Sequence, residues 1–225
     1  MKKIRVPFGV WLGCCVVLLT SCASARTSTV YSGEGEAFPD RELAGYVRAY
    51  QEAKSSGRSM ESARDRLADL AARHPNHVPT LLANAIAARE AARPAESQKY
   101  LDRVLLIQPL HAPAVVLRSR LALQDGNLTF ARRFLEGKIR LLPAEAGLRE
   151  ALAAVLFFQK EYAAAVSALR EAERLGAPEG RVLYHLGLLE EFQGNFREAS
   201  YYYQSALDTQ PPFEPARARW AALKS

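Results

Sequence analysis

Pro75, Pro109 and Pro143 stand 34 residues apart, and Pro211 falls two further intervals along the chain. At the intervening position, Ala177, the proline comes one place late, as Pro178. Other columns keep the same register. One holds small residues: Ala63, Ser97, Ala131, Ala165 and Ala199. A second holds large ones: Leu67, Leu101, Leu135, Leu169 and Tyr203. A third reads Met60, Pro94, Leu128, Tyr162 and Phe196. A constant interval without insertions means that one structural unit is repeated, and the fold reduces to what a single unit is.

Alanine, leucine, arginine and glutamate dominate the chain, and continuous β-branched runs are missing. Both facts favour helix and argue against a sheet. Each interval accommodates two helices and a tight turn. Small residues let the paired helices approach closely, and the large ones fill the gap to the next pair. The recurring proline ends the second helix, because it lacks an amide proton and clashes with the preceding turn. Pro79, Pro113 and Pro215 sit where a first helix begins, a position that tolerates proline. Gly126-Asn127 and Gly194-Asn195 mark the bend inside two units.

These columns resemble the tetratricopeptide repeat (TPR). The match is fullest over Leu186-Gly187, Gly194, Phe196, Ala199, Tyr203, Ala206 and Pro211, and recurs at Gly126, Leu128, Ala131, Leu135 and Pro143. The family's early tryptophan is absent, and the first unit is degenerate, as terminal repeats often are. The resemblance implies an all-α solenoid of helix-turn-helix repeats over 40–225, winding into a right-handed superhelix. Its units are expected at 44–77, 78–111, 112–145, 146–179 and 180–213. A capping helix over 214–224 would place Trp220 and Leu223 as a lid on the last pair.

The beginning of the chain reads differently. Lys2, Lys3 and Arg5 precede an apolar stretch from Val6 to Leu19, and Leu19-Thr20-Ser21-Cys22 follows. A charged head, a short apolar core and small residues at the cut form a secretion leader. Small residues directly before a cysteine resemble a lipobox, which implies a signal peptide over 1–21 and fatty acylation (palmitate) of Cys22. An uncleaved membrane helix is the first rival, but a span needs about 20 mostly apolar residues. A plain secretion signal is the second, and would leave Cys22 incidental. Residues 22–39 begin with a Ser-, Thr- and Gly-rich stretch without helical period and read as a flexible tether. Ala23, where lipoproteins retained in the inner membrane carry aspartate, points to the periplasmic face of a bacterial outer membrane.

Cleavage would leave no paired thiol, since Cys14 and Cys15 depart with the leader and Cys22 takes the lipid. Three of the 30 basic residues also depart, leaving 27 against 24 acidic ones, a net +3. So mild a balance does not describe a nucleic-acid binder. His74 and His77 flank a proline turn without an obvious third ligand; His77 and His111 share a repeat column and read as solvated turn residues. No His-Glu-x-x-His helix, Gly-x-Ser-x-Gly elbow or phosphate-cradling glycine loop is present. No catalytic residue, metal site or cofactor is assigned, and no small-molecule substrate is expected.

Function is then sought in the surface. In a TPR solenoid the first helix of each unit lines the concave side. The side chains expected there are Leu82, Ile86, Arg89, Val116, Arg120, Leu123, Ala154, Phe157, Phe158, Tyr184, Leu188 and Phe192. Such a groove would hold a segment of another envelope protein on aromatic and aliphatic anchors, with Arg89 and Arg120 available to carboxylates. For Phe157, Phe158 and Phe192 the spacing leaves groove and core equally open. The carboxylate clamp of some TPR proteins is not reproduced. The chain also resembles TPR lipoproteins that assemble pili or secretion machines. Alternatives are a scaffold for peptidoglycan or exopolysaccharide enzymes, a cryptic hydrolase or enzyme accessory domain, and a purely structural envelope protein.

Overall fold

The computed structural model describes residues 37–224, so the leader, Cys22 and most of the tether lie outside the described residues. The described residues form eleven helices and no strand. They are α1 (Ala37–Ser55), α2 (Glu61–Arg73), α3 (Val78–Glu90), α4 (Pro94–Ile107), α5 (Ala112–Gln124) and α6 (Leu128–Leu141). There follow α7 (Ala146–Phe158), α8 (Tyr162–Arg174), α9 (Glu179–Gln193), α10 (Phe196–Asp208) and α11 (Pro215–Lys224). The described chain divides into two compact units, one up to Leu121 and one from Ala122 onward.

The interval seen in the sequence is written into the backbone. α4, α6, α8 and α10 begin at Pro94, Leu128, Tyr162 and Phe196, each 34 residues after the last. Two residues before each start the chain turns through the left-handed region. Ala92 (φ 56°), Gly126 (φ 75°), Lys160 (φ 65°) and Gly194 (φ 87°) occupy that place. At one of these turns the Asn127 side chain accepts a hydrogen bond from the Phe130 amide at 3.1 Å, capping α6.

Both expected core columns are buried. Ala63, Ser97, Ala131, Ala165 and Ala199 are enclosed, as are Leu67, Leu101, Leu135, Leu169 and Tyr203. Each fully buried leucine contributes about 1.5–3 kcal/mol. Ser97 is tolerated inside because its hydroxyl donates to the Ala85 carbonyl at 2.7 Å.

In the N-terminal unit, Ala71, Val78, Leu81, Ala85, Leu101, Val104, Ala114, Leu117 and Leu121 form one core cluster. A smaller one joins Tyr50, Ala63, Leu67 and Ala87 beneath α1. This second cluster corrects the expected tether boundary. α1 begins at Ala37, inside the span assigned to the tether and well before residue 44. The cause is the apolar series Leu43, Tyr46, Val47 and Tyr50, whose spacing puts one face of α1 on α2 and α3.

In the C-terminal unit each helix from α6 to α11 packs on the next. α9 and α10 meet closely at Gly187, against the ring of Tyr203. The last helix, α11, packs on α10. Trp220 and Leu223 are only half-buried, whereas Ala216 is fully enclosed. Arg219 donates to the buried Glu191 carboxylate at 2.9 Å. A paired charge and the enclosed Ala216 therefore tie this end, while Trp220 and Leu223 keep part of their surface in solvent.

Candidate functional site

In the N-terminal unit, Leu82 and Ile86 lie one turn apart on α3, half-buried against the main cluster. Arg89 continues that stripe, partly exposed. Beside it Glu90 receives the Tyr50 hydroxyl at 3.1 Å and pairs with Lys54 at 2.8 Å. Burial first, and the Glu90 charge second, push the Tyr50 phenol up to about 12. Tyr50 is therefore a neutral donor at physiological pH. On α5, Arg120 is partly exposed, while Val116 is buried.

In the C-terminal unit the aromatic residues converge. Phe157 meets Phe158 edge-on at 5.2 Å between ring centres and Phe192 at 5.0 Å. Tyr162 closes the group, 6.1 Å from Phe157 and 5.9 Å from Phe192. The cluster is graded. Phe157 is buried at its base, Phe158 and Tyr162 are half-buried, and Phe192 keeps 46% of its surface exposed. A buried base with an exposed rim is how an aromatic anchor site is built, because the rim rings are already fixed by edge contacts.

Six expected groove residues belong instead to the packed interior. Leu123 and Leu188 each retain 1% of their exposure, and Val116, Ala154, Phe157 and Tyr184 are also buried. Tyr184 packs on the rings of Tyr203 and Phe213, at 5.8 and 5.3 Å. Their side chains face neighbouring helices and have little surface to offer a partner. Leu82, Ile86, Arg89, Arg120, Phe158 and Phe192 retain accessible surface.

Two carboxylates in the same columns are buried, among them Glu191, which by spacing reads with Glu190 as a solvated surface pair. Glu150 falls in the column of Leu82, Val116 and Tyr184; Glu191 falls in that of Arg89, Leu123 and Phe157. Glu150, 4% exposed, accepts from Arg181 Nε and Nη2 at 3.1 and 2.9 Å. Glu191 accepts from the Tyr203 hydroxyl at 2.5 Å as well as from Arg219. Burial and the bond to Glu191 hold the Tyr203 phenol far above the ordinary tyrosine range. The 34-residue interval places both acids, Glu150 one period after Val116 and Glu191 one period after Phe157, but not their burial. Their charges are engaged by fixed arginines, the arrangement burial demands.

The loop histidines are also more engaged than expected. His77 Nδ1 lies 2.7 Å from Thr80 Oγ1, and its Nε2 3.1 Å from Asp40. His111 Nδ1 accepts from the Ala114 amide at 3.3 Å, capping α5. No group of three His, Cys, Asp or Glu side chains arranged to hold a metal occurs among the described residues.

Solved structures place this architecture. The chain is similar to TTC0263, a TPR protein of Thermus thermophilus, at 18% identity and TM-score 0.69, covering 80% of this chain and 98% of that one. A TPR protein from Parabacteroides merdae matches at 15% identity and TM-score 0.67, over 84% and 78% of the two chains. MamA of Desulfovibrio magneticus matches at 21% identity and TM-score 0.53, over 73% and 92%. The fold is that of the tetratricopeptide repeat. No family model and no curated protein matches the sequence.

Proposed function

We propose that this chain is a lipid-anchored TPR scaffold that holds a segment of another protein in the bacterial envelope. The observation that carries the reading is the graded cluster of Phe157, Phe158, Tyr162 and Phe192, with Phe192 at its exposed rim. Exposed aromatic rings held in place by neighbours bind without a large loss of side-chain freedom. The repeat fold supports it too, since stacked helix pairs serve chiefly as binding surfaces. The anchor rests on the leader and the Leu19–Cys22 run, and the outer-membrane address rests on Ala23. Assembly of a pilus or secretion machine is the specific role proposed, on the sequence resemblance to lipoproteins that do this.

Affinity purification from envelope extract, with wild type beside Phe158→Glu and Phe192→Glu, tests the binding face. Losing one central anchor costs about 2 kcal/mol, a drop of more than tenfold in recovered partner. Equal recovery from both variants would place the partner elsewhere. Metabolic labelling with palmitate tests the anchor separately: label should enter wild type and not Cys22→Ser. Neighbouring genes for a secretin or pilin would support the assembly role, and cell-wall hydrolase genes would redirect it.

A further inference from the structure

α6 has one face in the core, through Ala131 and Leu135, and a second face that is unlike any surface expected of a solvated helix. Phe130, Phe134 and Leu141 follow at intervals of four and seven residues, which aligns them in one row. Phe130 is 38% exposed and Leu141 62% exposed. Phe130 and Phe134 stack at 5.5 Å between ring centres, so the two rings form one fixed surface. By helical spacing Arg133 and Arg140 border this row on one side and Lys138 on the other. Lys138 reaches over the Phe134 ring at 5.7 Å. No carboxylate lies in the row. The one carboxylate of α6, Glu136, is turned away from the stripe and pairs with Arg132, which also bonds Glu161.

We propose that this face of α6 rests on an anionic phospholipid surface. The apolar row enters the interface, and Arg133, Lys138 and Arg140 lie against lipid phosphates. An apolar strip bordered by cations is what a helix lying in a bilayer interface requires. Long basic side chains extend along it to reach the headgroups, and an anionic leaflet attracts each added cation. A peptide groove, by contrast, needs two walls. The shallow hollow beside Phe130 is lined only by residues of α6 and its cap, within 127–134. The inference rests on the proposed lipid anchor: Cys22 stands only 15 residues before Ala37, a stretched distance of about 50 Å, which would hold the chain at a bilayer.

The test is photolabelling of the full purified chain reconstituted in vesicles that contain a diazirine phospholipid. One set also contains phosphatidylglycerol; the other is phosphatidylcholine alone. Label is expected on the 130–141 peptide with phosphatidylglycerol, and several-fold less with phosphatidylcholine. R133E/K138E and, independently, L141D should each reduce it several-fold while leaving the thermal midpoint unchanged. Equal α6 label in both vesicle types, or cross-links joining α6 of two copies, would overturn the proposal. Label on peptides before Ala37 reads the anchor on its own. If those are labelled and α6 is not, the anchor stands and this inference falls; if neither is labelled, both fall.

Discussion

Gly187 has no side chain because Tyr203 stands where one would go. A Cβ at that position would lie 2.6 Å from Tyr203 Cε1, well inside contact distance. Gly187→Ala should therefore lower stability by about 1–3 kcal/mol in urea unfolding. Gly45→Ala, in a helix with open space around it, should raise stability by about 0.5–1 kcal/mol. The Leu186-Gly187 pair was legible in the sequence, but the ring that requires the glycine was not, because it arrives from another helix. His111 shows the opposite case. Its Nδ1 accepts from the Ala114 amide, and burial lowers its pKa from the ordinary histidine value. At mildly acidic pH the unfolded chain then binds more protons at this site than the folded one. Its contribution is complete above the unfolded value of about 6.5 and is lost as pH falls through the lowered folded value. Urea unfolding of wild type should weaken across that window more steeply than that of His111→Gln. A shared loop column placed His111 at a turn; its capping bond depends on a side-chain angle that no spacing encodes.

The elements repeat because their turns do. Ala92, Gly126, Lys160 and Gly194 occupy one left-handed position in successive units, and two of them are not glycine. A residue with a Cβ costs about 1–2 kcal/mol there, partly offset by glycine's greater freedom when unfolded. Lys160→Gly should raise the thermal midpoint, by a gain near 1 kcal/mol, and Gly126→Ala should lower it by a similar amount. Helix starts were legible because small and large residues must alternate between helix pairs at a fixed interval, and both buried columns obey that rule. The start of α1 was not, because its first turns carry no repeat motif and the helix is held further along, by Leu43, Tyr46, Val47 and Tyr50. Within the first helices the inner columns were only partly legible. Leu123 shares its column with the accessible Arg89, and Leu188 shares its own with Arg120, yet both leucines are buried. Spacing fixes a column, while burial depends on how large the neighbours are.

For the molecule as a whole, the proposed binding runs through shape and aromatic contact. The two buried carboxylates, Glu150 and Glu191, are each engaged by an arginine. The exposed rim at Phe192 is the place where a partner would be felt first. The most direct measurement is photo-crosslinking in living cells from a diazirine amino acid installed at position 192. A discrete adduct with an envelope protein is expected, strongly reduced when Phe158→Glu is added. No adduct, or one indifferent to Phe158→Glu, would contradict the proposed binding.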